Sequence, residues 1–514
     1  MTKQLLILAC FLMAGLLTAQ EPVKEQLAPC GTISVMDPHT VQYLQQYGVA
    51  KPNLTDTLWV GLQIHLVAQD DGSGRFTAER LLDAFCRLNT DFESTNIRFY
   101  FKYDWNLIDS SAWWRHDTIP AGRDMMFAND VPDATNCYFV SNPAGNCGYN
   151  LPYASVVMAH GCSGEDDHTW AHELGHQYGL PHPFIGWENT VYDFSQPTPD
   201  SVFYDYTHFH ATPDTVPAPL DVRAVEFADG SNCAVAGDLI CDTRPDYLGP
   251  AAMRNCDGQG NSTMKQKDPL GNEFFPDATL FMSYYPDNCA NRFTDQHIAI
   301  MRNHLQNIKP QVLTPSAPAQ QLTALPQLVS PVNGQQAPAQ GGVLRWNSVP
   351  GATGYVVQLS RFTSYLVKDI DVWTADTAIV FNQLFPNLTY YWHVKPFNAV
   401  DGCANFTASG SFKTAPVTAV NEPGAGAWKL YPTLSAPGDD LWLESPEADS
   451  GMPVLVSVFD ALGRQVWQQR LDRAGPEQAM LLQIPARHQA AGAYRLVVQT
   501  PRYTRTLAFV RQGG

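Results

Sequence analysis

The stretch HELGHQYGLPH, residues 172–182, sets two histidines four residues apart, a third six further on, and a glutamate beside the first. On a helix, residues four apart share a face, so the imidazoles of His172 and His176 point the same way and can reach one ion. Glu173 projects in a neighbouring direction, suited to hydrogen-bonding a water at that ion rather than to ligating it. His182 cannot lie on the same straight helix. Gly179 supplies the turn back, because glycine alone enters the left-handed region cheaply, and Pro181 blocks helix continuation. Three imidazoles with a fourth position left to water is the pattern of a catalytic rather than a structural Zn2+ site.

The rest of the chain reads as an exported protein. Its 514 residues predict three or four domains, and 45% apolar residues allow buried cores throughout. The net charge of −18 argues against nucleic acid or an anionic membrane as partner. MTKQLLILACFLMAGLLTAQ (1–20) has a basic Lys3, an apolar run and a small-residue exit. It is expected to be a secretory signal peptide, too short and wrongly flanked for a membrane span. No other segment reads as transmembrane. Eleven cysteines less Cys10 of the signal leave ten, and disulfides are the default for them in an oxidising compartment.

Outward from the motif, WVGLQIHLV (59–67), IRFYFKY (97–103), CYFV (137–140) and ASVVMA (154–159) read as strands. Leu81, Leu82, Phe85 and Leu88 recur at helical spacing over 76–89. An α/β unit with a loop-rich, cysteine-rich second half is expected over 51–312, behind a short prosegment at 21–50. LTPSAPAQQLTALPQ opens a linker, taken as 313–325, and short strands with turn signals follow over 326–416. There LFPNLTYYWHV, with Leu384, Pro386, Tyr390, Trp392 and Val394 alternating, resembles the corner of a fibronectin type III domain, with Trp346 as its core tryptophan. A second linker (417–428) leads to a β-rich tail over 429–514.

The H-E-x-x-H-x-x-G-x-x-H spacing is the signature of the metzincin peptidases. In LFMSYYPDNCANRFT (280–294), Met282 matches their methionine turn, and Tyr284 the tyrosine that in this clan can hydrogen-bond the developing oxyanion. Together with GDLICDT (237–243), these stretches resemble the pappalysin family, in its bacterial cytophagalysin-like branch, over roughly residues 28–312. The resemblance implies a structural Ca2+ held by Asp238, the carbonyl of Cys241 and Thr243. Family members that cut before Arg or Lys carry an acidic residue just before the methionine-turn cysteine. Here that position is Asn288, with Asp287 one earlier, so a basic preference is not assigned.

Among the cysteines, Cys147 with Cys162 and Cys86 with Cys137 are expected pairs. Cys233, Cys241, Cys256 and Cys289 allow three connectivities, and the family implies that a bridge to Cys289 braces the methionine turn. Cys30, in APCGT, is either a prosegment switch whose sulfur takes the water position at the metal, as the family implies, or half of a disulfide with a partner such as Cys403.

The tail resembles the C-terminal sorting domain of type IX secretion cargo through Tyr431-Pro432, Asp460 with Gly463-Arg464, Gly492-Ala493-Tyr494 and a basic last strand. Thr433 stands where that family usually has Asn. The resemblance implies export through the periplasm and outer membrane of a Gram-negative bacterium by the type IX machinery, to the surface or medium. The expected fold is thus an α/β metzincin-like catalytic domain, a mixed twisted sheet plus a zinc-binding helix, followed by two all-β sandwiches. The expected function is a secreted zinc endopeptidase in which Glu173 activates water, acting on protein or peptide substrates laid along an edge strand, for which ASVVMAHG (154–161) is the candidate. The rival is a catalytically silent adhesin or binding protein on a peptidase-like scaffold. An intact Glu173 beside three histidines favours the enzyme.

Overall fold

The computed structural model describes residues 27–32, 36–48, 51–188, 190–204, 221–249, 252–416, 428–435, 440–444, 454–460, 464–471, 479–482, 484–485, 492–500 and 504–511. The expected signal peptide, much of the second linker and Gly463 lie outside them. Strands dominate and helices are few. The chain forms two compact units, residues 1–416 and 417–514. Among the described residues no helix is long and apolar enough to cross a membrane.

The first unit is built on strand β1 (Leu58–Ala68), which is buried on both faces, Gln63 and His65 included, as befits a central parallel strand. β2 (Ile97–Phe101) and β3 (Asn106–Asp109) line up in parallel along one side of β1. On the other side comes β4 (Thr135–Val140), also parallel. Next to β4 the order runs inward to outward through β6 (Val156–Ala159) to the antiparallel edge strand β5 (Gly148–Asn150). This corrects the expected edge: 156–159 lies inside the sheet. The chain reverses at Leu151–Ser155, where Leu151 N–H bonds Ser155 carbonyl at 3.0 Å, so the shorter CGYN stretch takes the outer place.

Helix α1 (Pro38–Tyr47) precedes the sheet. Helix α2 (Ala78–Asp91), capped by the Thr77 hydroxyl, lays Leu81, Leu82, Phe85 and Leu88 on one face of the sheet. Helix α3 (Ile119–Asn129) covers the other with Met125 and Met126. Helix α4 (Thr169–Gln177) carries the histidine motif and packs beside α2 through Trp170 and Leu174. Helix α5 (Asp295–Asn307) closes the α/β part.

Residues 328–414 form a sandwich of a three-stranded and a five-stranded sheet around Trp346, Tyr355, Leu359, Tyr390, Trp392, Val394 and Phe412. Tyr390 turns its hydroxyl back to accept Phe385 N–H at 2.9 Å, while Pro386 is exposed. The sandwich is seated on α2 rather than strung from a free linker. Lys395 pairs with Asp83 at 2.6 Å, Gln358 donates to Glu79 at 2.7 Å, and Phe397 stacks on Trp105 with centroids 5.2 Å apart. The linker itself is fastened, with Leu322 N–H on Asp401 at 2.8 Å.

Among the described residues four disulfides join Cys86 to Cys403, Cys147 to Cys162, Cys233 to Cys241, and Cys256 to Cys289. The expected Cys86–Cys137 bridge is overturned. Phe85 faces the sheet, and Cys86, about 100° further round the helix, faces the sandwich instead. Cys137 stays buried and unbridged, and Cys30 is unbridged as well. The second unit is a smaller two-sheet sandwich with Trp428, Leu441, Leu443, Val456, Val458, Leu496 and Phe509 in its core. Arg464 N–H and guanidinium close a turn on the Asp460 carboxylate at 3.0 and 2.8 Å.

Candidate metal centre

Helix α4 is buried from Trp170 through Gln177, so its polar side chains face protein, not water. It ends where Gly179 adopts φ +92°. Leu180 N–H bonds back to Gly175 carbonyl at 3.0 Å, and Leu180 carbonyl then accepts His176 Nδ1 at 2.8 Å. The turn that returns the chain therefore also orients the second histidine. His172 Nδ1 donates to Phe281 carbonyl at 2.7 Å, immediately before Met282. In these two rings Nδ1–H is spent on a carbonyl, which leaves Nε2 with its lone pair, the ligating tautomer.

The three Nε2 atoms converge: His172 to His176 3.1 Å, His176 to His182 3.0 Å, and His182 to His172 3.3 Å. A tetrahedral ion with Zn–N bonds near 2.0–2.1 Å needs nitrogens about 3.3 Å apart. Burial holds His172 down at about 4, and burial with neighbouring imidazoles holds His176 and His182 well below the usual range. All three are neutral at pH 7, as ligation requires. Cys30 Sγ completes a four-donor set whose atoms lie within 4.8 Å of one another. Among the described residues no other group of three His, Cys, Asp or Glu side chains converges in this way.

Met282 is fully buried below the site, and its sulfur would lie 2.3 Å from any Cβ added at Gly175. Tyr284 sits with its ring 4.9 Å from His182 and 5.7 Å from His172. Its hydroxyl donates to Cys30 carbonyl at 3.3 Å, and burial keeps the phenol protonated. Glu173 is wholly buried, and burial pushes its carboxyl up to about 8. One oxygen, Oε2, accepts the Thr32 hydroxyl at 2.9 Å, while Oε1 has no hydrogen-bond partner. Edge strand β5 lies close against it: a Cβ on Gly148 would come within 2.8 Å of Glu173.

A cavity of about 260 Å3 opens beside His172, lined by His168, Arg254, Tyr284, Asp287 and, from the N-terminal segment, Pro29. Asp287, not Asn288, is on its wall. Arg254 was not expected from the sequence. Its guanidinium lies over Phe184 at 4.8 Å and Tyr284 at 5.6 Å.

At the GDLICDT turn, Thr243 Oγ1 lies 3.2 Å from Asp238 Oδ2 and donates to Ile240 carbonyl at 2.6 Å. Cys241 is held by its bridge to Cys233. Buried Glu226, also missed by the sequence reading, joins them. A Cβ on Gly237 would meet it at 2.8 Å, and its Oε1 has no hydrogen-bond partner. Burial first, and then the charge of Asp238, raises the Glu226 carboxyl, and burial raises Asp238. Two adjoining buried carboxyls with an orphaned oxygen suit a hard cation. The one signal for Glu226 was an acid inside the apolar run AVEFA, too common to single out.

No family model and no curated relative matches the sequence. Among solved structures, the chain is similar to the chicken CNTN1 FN1–FN3 domains (15% identity, 37% of this chain and 67% of that one, TM-score 0.15). It is also similar to the sixth fibronectin type III domain of human fibronectin type III domain containing protein 3 (19% identity, 22% and 98%, TM-score 0.16). An α-L-rhamnosidase of Dictyoglumus thermophilum matches at 9% identity, 37% and 29%, TM-score 0.16. Likeness at such scores carries no weight, and the sandwich assignment rests on its own strand order.

Proposed function

We propose that the protein is a secreted zinc-dependent endopeptidase of the metzincin type, pappalysin-like, held latent by its own N-terminal segment. The observation that carries this reading is the convergence of three Nε2 atoms and one thiol sulfur beside a buried glutamate. Zn2+ suits that donor set; when bound it would polarise a carbonyl and lower the pKa of water. Glu173 then takes the proton of the attacking water and returns it to the leaving amine. Tyr284, kept protonated, donates to the oxyanion. The Gly148 carbonyl and Asn150 N–H of β5 pair with an extended peptide, which commits the substrate to a stretched backbone.

Latency is supported by Cys30, whose sulfur joins the donor set while Leu27 and Pro29 line the adjoining cavity. Ca2+ at Glu226, Asp238 and Thr243 is proposed as a structural ion. The second unit is proposed as a type IX sorting domain, which places the protein at the surface or outside a Gram-negative cell. Cleavage of a denatured protein mixture by the chain trimmed of the segment that holds Cys30 tests the enzyme reading. Metal-dependent cutting is expected, abolished by chelator and lost by at least about a hundredfold in Glu173→Ala, with zinc content unchanged. Cutting that survives in Glu173→Ala would refute the reading.

A further inference from the structure

We infer that Thr32 is a second inhibitory contact, directed at the base rather than at the metal, so that latency does not depend on the Cys30 sulfur alone. The inference rests on the endopeptidase reading for its meaning, but its first test does not.

Residues 27–32 lie along the edge strand in a main-chain ladder. Ala28 N–H bonds Gly145 carbonyl at 2.9 Å, Cys147 N–H bonds Ala28 carbonyl at 2.7 Å, and Gly31 N–H bonds Gly148 carbonyl at 2.8 Å. At the next step the ladder changes character. Asn150 N–H is taken by the Thr32 side-chain hydroxyl, at 2.7 Å. That hydroxyl is buried and accepts from the strand, so its single proton is left to donate, and it does so to Glu173 Oε2 at 2.9 Å. One side chain thus closes the N–H that a substrate would pair with and occupies the carboxylate that would take a proton. Cys30, two residues earlier, addresses the metal position through its sulfur. That sulfur also lies against Glu173 and accepts Thr32 N–H at 3.2 Å, so both groups touch the base, while only the sulfur reaches the metal position. Gly31 makes the close approach feasible, since a Cβ there would fall 2.6 Å from the Asn146 side chain. Losing the sulfur from the metal, by oxidation or by chelation, leaves the Thr32 contact intact.

The test uses the full chain treated with chelator, so that no metal–sulfur bond and no self-cleavage contribute. Iodoacetamide alkylation of Cys30 is followed by mass spectrometry of its peptide, which separates it from Cys137, the other unbridged cysteine among the described residues, and from Cys10. A hydrogen bond to a charged or strongly polar acceptor predicts that Thr32→Val speeds alkylation about tenfold or more. Thr32→Ser, which keeps the hydroxyl, should retain the original rate. Glu173 also acts on the Cys30 thiol directly, so the comparison is made within one background: added to Glu173→Ala, Thr32→Val should bring no further acceleration. Unchanged alkylation in Thr32→Val, or equal acceleration in Thr32→Ser, overturns the inference. In zinc-loaded chains, Cys30→Ala is expected to stay largely latent toward denatured protein and Cys30→Ala/Thr32→Val to be released. If both cleave and do so equally, the second lock is overturned. If neither cleaves, the peptidase reading fails while the alkylation result still judges the contact.

Discussion

At Gly175 helix propensity and packing oppose each other. Alanine is the better helix former by about 1 kcal/mol, which alone would make Gly175→Ala stabilising. The added Cβ, however, would fall 2.3 Å from the sulfur of Met282, which is fully enclosed. Overpacking should win. Gly175→Ala is expected to lose about 1–3 kcal/mol in urea denaturation of the metal-free protein. Because Phe281 carbonyl orients His172 from the position next to Met282, zinc affinity in a chelator competition should fall as well. A variant as stable as the parent that binds zinc equally well would remove Met282 from any supporting role.

At the scale of elements, the GDLICDT turn and Glu226 make a pH-dependent weak point. Both buried carboxyls are raised above the ordinary range near 4. Between that range and their folded values the native state holds more protons than the unfolded chain, so metal-free stability falls as pH rises. A divalent cation at the proposed site would bind the ionised pair and reverse the sign of the effect. The melting temperature without calcium should therefore drop between about pH 5 and about pH 8, and excess calcium should restore it most at the higher pH. Glu226→Gln should flatten the pH response and abolish the calcium response. A calcium effect that persists in that variant would remove Glu226 from the site.

At the scale of the molecule, the first unit unites the α/β part with the sandwich. Cys86–Cys403 spans 317 residues, and the Lys395–Asp83 pair and the Trp105–Phe397 stack lie in the same seam. Closing so long a loop restricts the unfolded chain strongly, and loss of a native bridge typically costs about 2–5 kcal/mol. Cys86→Ser/Cys403→Ser is expected to lower stability by that order, and its urea transition, followed by tryptophan fluorescence, should broaden or split. A single unshifted transition would mean that the noncovalent seam suffices.

Short-range spacing was legible in the sequence because it is geometry of one helix and one turn. His172, Glu173, His176, Gly179 and His182 sit as their offsets require, and the sandwich core at Trp346, Tyr390, Trp392 and Val394 follows from simple alternation. What tertiary structure decided are pairings between distant segments, for which local spacing has no signal. Cys86 turned to Cys403 because of which side of α2 meets the sandwich. CGYN, not ASVVMA, took the sheet edge because a tight reversal left it the outer place. Thr32 reached Glu173 across 141 residues, where its hydroxyl meets a buried carboxyl oxygen, and Glu226 was set beside Asp238 against their mutual repulsion, a placement only the fold imposes.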